Sequence, residues 1–146
     1  MANSFNQISA NLAIKVRRMK IDLPDAIGLM AKQHFQGNFT RQGFDDTKWQ
    51  DVKRRKTGKG KDRTRAILSG RTGRLKKSIH VDKATWSKVV IATDRLPYAQ
   101  IHNDGGRAGR GRKSVIPKRQ FMGDSPVLRA RINKLITNTI DKAFKS

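Results

Sequence analysis

Cysteine and glutamate are both missing from this 146-residue chain. Without cysteine there is no disulfide scaffold, no thiolate nucleophile and no Cys-ligated zinc. Without glutamate all 11 acids are Asp, which removes the HExxH metalloproteases, the standard EF-hand loop and the Glu acid/base of many hydrolases. Long apolar runs are lacking too. None approaches the roughly 18 residues of a membrane span, so no membrane partner is expected. The opening residues, Met1-Ala2-Asn3-Ser4-Phe5, do not have the basic-then-apolar pattern of a secretory signal. Hydrophobic residues make up 36% of the chain and aromatics 6%. That is lean, but the apolar residues fall in periodic segments, unlike a disordered composition. The expectation is a single soluble domain over residues 1–146, made in a reducing cytoplasm.

Positive charge is what the chain has in excess: 33 Lys+Arg against 11 acids, a formal net charge of +22. It is unevenly spread. Residues 53–77 carry 12 basic groups and one acid, Asp62, and residues 107–119 carry six basic groups and no acid. These segments repel themselves unless a polyanion or an acidic surface lies nearby. The bland reading is a pair of flexible, solvated loops, about 53–66 and 107–114. The functional reading is contact with nucleic acid or with acidic protein, carried by Arg54, Arg55, Lys56, Lys59, Lys61, Arg63 and Arg65, with Arg107, Arg110, Arg112 and Lys113 as a second patch.

Periodicity predicts the frame. Phe5, Ile8, Leu12, Val16 and Met19 follow helical three- and four-residue steps over residues 3–20. Asp22 and Pro24 then read as the cap and first turn of a second helix to about Phe39. Residues 40–74 have few apolar positions and read as a long, mostly irregular loop. Leu75, Ile79 and Val81 suggest a strand ending near Asp82. Residues 86–93 suggest its antiparallel neighbour, with Trp86 anchoring a small core. A short helix over about 96–102 stops at Gly105-Gly106. Ser125-Pro126 opens a last helix to about Phe144, with Leu128, Ile132, Leu135, Ile136, Ile140 and Phe144 in register. The fold class expected is α+β: a small central antiparallel sheet packed by the N-terminal and C-terminal helices, with long basic loops.

No catalytic signature emerges. His34, His80 and His102 match no metal spacing and read as packing or capping residues. Ser, His and Asp are present, but no Gly-x-Ser-x-Gly elbow supports a triad. Gly58-Lys59-Gly60-Lys61 and Gly70-Arg71-Thr72-Gly73-Arg74 do not fit a phosphate-binding P-loop. Residues 107–112 resemble an Arg-Gly RNA-binding segment, but no aromatics are interleaved. No catalytic residue, cofactor or metal is expected.

The order of motifs resembles the phage virion morphogenesis (tail completion) family of Mu-like and P2-like phages and prophages. The likeness begins with Phe35 through Gly43 to Trp49. It continues in Leu68-Ser69-Gly70-Arg71-Thr72-Gly73-Arg74-Leu75-Lys76-Lys77-Ser78-Ile79, similar to the family's Leu…Thr-Gly-x-Leu-x-x-Ser-Ile. Next comes Tyr98-Ala99-Gln100-Ile101-His102-Asn103-Asp104-Gly105-Gly106, similar to Tyr-Ala-x-Ile-His-x-x-Gly-Gly. The last stretch is Pro117-Lys118-Arg119-Gln120-Phe121-Met122-Gly123-Asp124-Ser125, similar to Pro-Ala-Arg-Pro-Phe-Leu-Gly-x-Ser, with Lys118 and Gln120 departing from the pattern. These residues read as scaffolding. Gly73 permits a tight turn, Gly105 and Gly106 end a helix, and Pro117 and Phe121 pin the chain's return to the core.

The resemblance implies a structural protein of the virion tail or neck, present in the host cytoplasm during assembly. It implies tail completion and head–tail joining without catalysis. Tail or neck proteins would be the partners, packaged DNA a further contact, and a homo-oligomeric ring, hexameric by analogy, the working form. The rival reading is a free-standing basic nucleic-acid-binding protein, which lacks a helix-turn-helix, RNP aromatics or a zinc site.

Overall fold

The computed structural model describes residues 2–145. In chain order the elements are α1 (Ala2–Arg41), β1 (Gly43–Phe44), β2 (Thr47–Lys48), α2 (Arg54–Thr57), α3 (Lys61–Thr64), α4 (Arg74–Lys77), β3 (His80–Thr85) and β4 (Lys88–Ala92). Then follow α5 (Ala99–Asp104), β5 (Gly106–Ala108), a 3-10 turn (Arg110–Arg112), β6 (Ser114–Ile116) and α6 (Pro126–Lys145). The class is α+β. Its strands form three two-stranded antiparallel ribbons, β1–β2, β3–β4 and β5–β6, instead of one central sheet.

The chain divides into two compact units. The first takes the chain to Ala31, Val81–Ile91 and the chain from Pro126 onward. Its ribbon is the β3–β4 hairpin, packed by the N-terminal and C-terminal helices. A Cβ added at Gly28 would lie only 3.0 Å from Val81 Cγ1, so glycine in mid-helix lets α1 come close to the hairpin. Leu23 and Leu128 are buried on the two helices.

Two expectations for this unit change. The break at residues 20–24 is absent: α1 runs through Pro24. A proline inside a helix forgoes one hydrogen bond and costs about 3 kcal/mol. Leu23 and Pro24 are buried, and tertiary packing of an apolar face outweighs such local costs. Trp86 does not anchor a core. It occupies the two-residue turn between β3 and β4 and is exposed. Thr85 closes that turn, its hydroxyl donating to the Lys88 carbonyl at 3.0 Å and accepting the Lys88 N–H at 3.2 Å.

The second unit comprises Lys32–His80 and Ala92–Ser125. Phe35, Phe39, Trp49, Ile67, Leu75, Ile79, Leu96 and Phe121 form its interior. The stretch expected to be an irregular loop over 40–74 holds the β1–β2 ribbon, in register Gly43↔Lys48 and Phe44↔Thr47, and the short helices α2 and α3. The strand expected from Leu75 starts instead at His80, because Leu75 lies on α4 and Ile79 just beyond it. Their four-residue spacing is helical, and Gly73 caps the turn at φ 63°, the left-handed region open to glycine. The basic loop over 107–114 is a hairpin, β5 paired with β6 in register Gly106↔Ile116, Arg107↔Val115 and Ala108↔Ser114.

Candidate functional site

The motif residues converge on the interior of the second unit. Trp49 is buried edge-on to Phe39, with ring centroids 5.5 Å apart, and Phe121 packs on Phe39 at 5.3 Å. The Trp49 Nε1–H donates to the Gln120 carbonyl at 2.7 Å. Arg119 is buried too. Its Nε donates to the Gln50 carbonyl at 3.0 Å and its Nη2 to the Asp51 carbonyl at 3.4 Å, while its backbone N–H reaches the His102 carbonyl at 2.8 Å. Burial, followed by the positive field of Arg54, holds the Arg119 pKa below its usual value, partly offset by Asp51. Gly105 turns the chain after α5 at φ 76°, and a Cβ there would meet the Lys118 backbone N at 2.8 Å. Gly70, Gly106 and Gly123 also take positive φ.

Ile101 is half-buried and Pro117 flanks β6. Tyr98 stays exposed, its ring edge-on to His102 at 6.2 Å. Together with Leu68, Ser69, Gly70, Thr72, Arg74 and Leu75 they line a recess of about 190 Å³. Burial, then the charge on Arg119, lowers the His102 pKa.

Residues 53–77, read as one cationic segment, are heterogeneous in the structure. Arg54 faces its own loop: Nε donates to the Asp62 carbonyl at 3.0 Å, and Nη2 to the Arg65 and Ala66 carbonyls, each at 2.9 Å. Arg55 pairs with Asp51 at 3.1 Å and Arg65 with Asp62 at 3.0 Å. Lys56, Lys59, Lys61 and Arg63 are exposed. On the β5–β6 hairpin and its 3-10 turn, Arg107, Arg110, Arg112 and Lys113 are all exposed. Of the eleven cations singled out from the sequence, eight thus present charge to the outside, and Arg54, Arg55 and Arg65 are wholly or partly engaged at home.

Polar side chains add long-range hydrogen bonds that hold this interior together. Asn38 is fully buried and donates to the Phe121 carbonyl at 3.0 Å. Asn103 Oδ1 accepts the N–H groups of Phe121 at 2.9 Å and Met122 at 3.0 Å. The Gln42 amide bridges to Phe39 and Ile67. His34, Asp45 and Ser125 also meet. The His34 Nε2 is 3.1 Å from Asp45 Oδ1 and 3.2 Å from Ser125 Oγ, and that hydroxyl lies 2.8 and 2.7 Å from the two Asp45 oxygens. Acid and hydroxyl share one imidazole nitrogen, whereas a relay needs them on opposite nitrogens. His34 and Ser125 are buried. The arrangement clamps α1, the β1–β2 turn and the segment before α6. No sequence signal pointed to it, because the partners lie 11, 80 and 91 residues apart.

Among the described residues no group of three His or Asp side chains could hold a metal ion, and no helix is long and apolar enough to cross a membrane. The sequence profile of the phage virion morphogenesis family matches residues 3–141. A stretch of 36 residues is 50% identical to Mu-like prophage FluMu G protein 2 of Haemophilus influenzae, covering 25% of this chain and 25% of that protein. No solved structure matches.

Proposed function

The chain belongs to the phage virion morphogenesis family, and from that premise we propose that it completes the phage tail and joins it to the head, acting by protein–protein assembly without catalysis. The observation that supports this reading is the use made of the motif residues. Trp49, Leu75, Arg119 and Phe121 are buried, where they fix the backbone of the second unit. Residues buried in this way hold a shape, which is what a virion part needs of them. In a ring of copies, the exposed cations of the α2–α3 segment and the β5–β6 hairpin face either the DNA passage or an acidic neighbour in the tail or neck.

The test is deletion of the gene from an inducible prophage, followed by electron microscopy of the lysate. The expected result is filled heads and tails that lie apart, rejoined when the gene is supplied in trans. Joined, infectious particles without the gene, or a complete lack of tails, would overturn the reading.

A second reading, a free-standing nucleic-acid-binding protein, is favoured by the exposure of Lys56, Lys59, Lys61, Arg63 and the four hairpin cations. Phosphate contacts make such binding fall steeply with salt. Filter binding at two salt concentrations measures it: no DNA retained even at low salt assigns these cations to acidic protein.

A further inference from the structure

The apolar stripe of α1 is buried at one end and bare at the other. Leu23 is buried and Val16 and Met19 are half-buried, yet along the same stripe Leu12 is 37% exposed, Ile8 65% and Phe5 72%. The stripe of α6 behaves alike: Leu128 is buried, Ile132, Leu135 and Ile136 are half-buried, and Ile140 and Phe144 are 40% and 58% exposed. The bare ends face each other within the first unit. Ile8 and Leu12 share an open groove of about 520 Å³ with Ala143 and Phe144. Scattered surface apolar residues need no explanation, but contiguous ones framed by polar groups mark an interaction site.

Lys15 and Arg18 line the groove, and among the described residues no carboxylate does. The first unit carries 11 Lys and Arg against four Asp. We propose that this groove docks an amphipathic helix of another virion protein, one with Leu, Ile or Phe along one face and Asp or Glu on its flanks. Two helices side by side form a groove that a third helix fills by ridges-into-grooves packing, and apolar anchors at i, i+3, i+4 and i+7 suit such a groove. A second copy of this chain is the poorer occupant, because it would set one cationic rim against another, and like charges across an interface are costly. The proposal deepens the assembly reading and rests on it for the source of the partner.

The test needs only the intact purified protein and a labelled designed helix with leucines on one face and glutamates elsewhere. Saturable binding is expected by fluorescence anisotropy, weakened about tenfold or more in Ile8→Asp and in Phe144→Asp. Both sites are exposed, and circular-dichroism melting verifies that the variants fold. A control helix with lysine for glutamate should not bind. Undiminished binding by either folded variant would move the peptide to the cationic segments and overturn the proposal. So would equal binding of the lysine helix, light scattering that shows self-association abolished by Ile8→Asp, or retention on anionic lipid vesicles in preference to the peptide. Each of these outcomes leaves the prophage deletion result untouched, so the two readings fail separately.

Discussion

Asn103 holds two backbone N–H groups, those of Phe121 and Met122, on a single side-chain oxygen. Replacing it with leucine strands both donors, and an unsatisfied buried polar group costs about 1–3 kcal/mol. Asn103→Leu is therefore expected to lower stability by about 2–4 kcal/mol in urea titration, and Asn103→Asp, which keeps the acceptor, by less. His102 adds a pH dependence. Burial first, then Arg119, lowers its pKa in the fold. The unfolded chain takes the proton more readily, so the stabilisation is fully present above the ordinary histidine pKa of 6.5 and is lost as pH falls from there through the folded pKa. Thermal melts stepped down from neutral pH should show this decline, and His102→Gln should flatten part of it.

The α2–α3 segment depends on Arg54, whose guanidinium spans three backbone carbonyls. Arg54→Ala should speed tryptic cleavage within residues 53–66 and shift the global melting midpoint little, because α2 and α3 bury none of their residues. Arg54→Lys should not restore protection, since an ammonium cannot reproduce the planar fork. Gly105 behaves oppositely. Gly105→Ala drives a Cβ against the Lys118 backbone and should cost the whole second unit upward of about 1 kcal/mol, read from the same urea titration.

Legibility varied element by element. α6 was readable because Ser125-Pro126 and the three- and four-residue apolar steps agree. The continuity of α1 was not, because Asp22 and Pro24 together are a local helix-start signal, which burial overrules. The helical turn at Leu75–Ile79 was read as strand because two apolar residues four apart fit either reading. Charge counts located both cationic segments. They could not show that Arg54 turns inward, since carbonyl acceptors leave no mark in a sequence, nor that His34, Asp45 and Ser125 meet across the fold.

At the scale of the whole chain, +22 is self-repulsive. Raising ionic strength from low to physiological should raise the melting midpoint, since screening relieves repulsion between exposed charges. A polyanion such as heparin should raise it further at equal ionic strength if the exposed cations bind it, by mass action on the folded state. An unchanged midpoint in both would show that the cations are already neutralised within the chain.

The first unit gathers an early, a middle and a late stretch of the sequence, and this orders events at the ribosome. The greasy side of α1 emerges first and waits through more than a hundred residues of synthesis before α6 arrives to cover part of it. During that interval the nascent chain offers holdase chaperones a target. Deleting the codons for α6, Pro126–Lys145, should accordingly yield insoluble product in the cell, not a smaller working part.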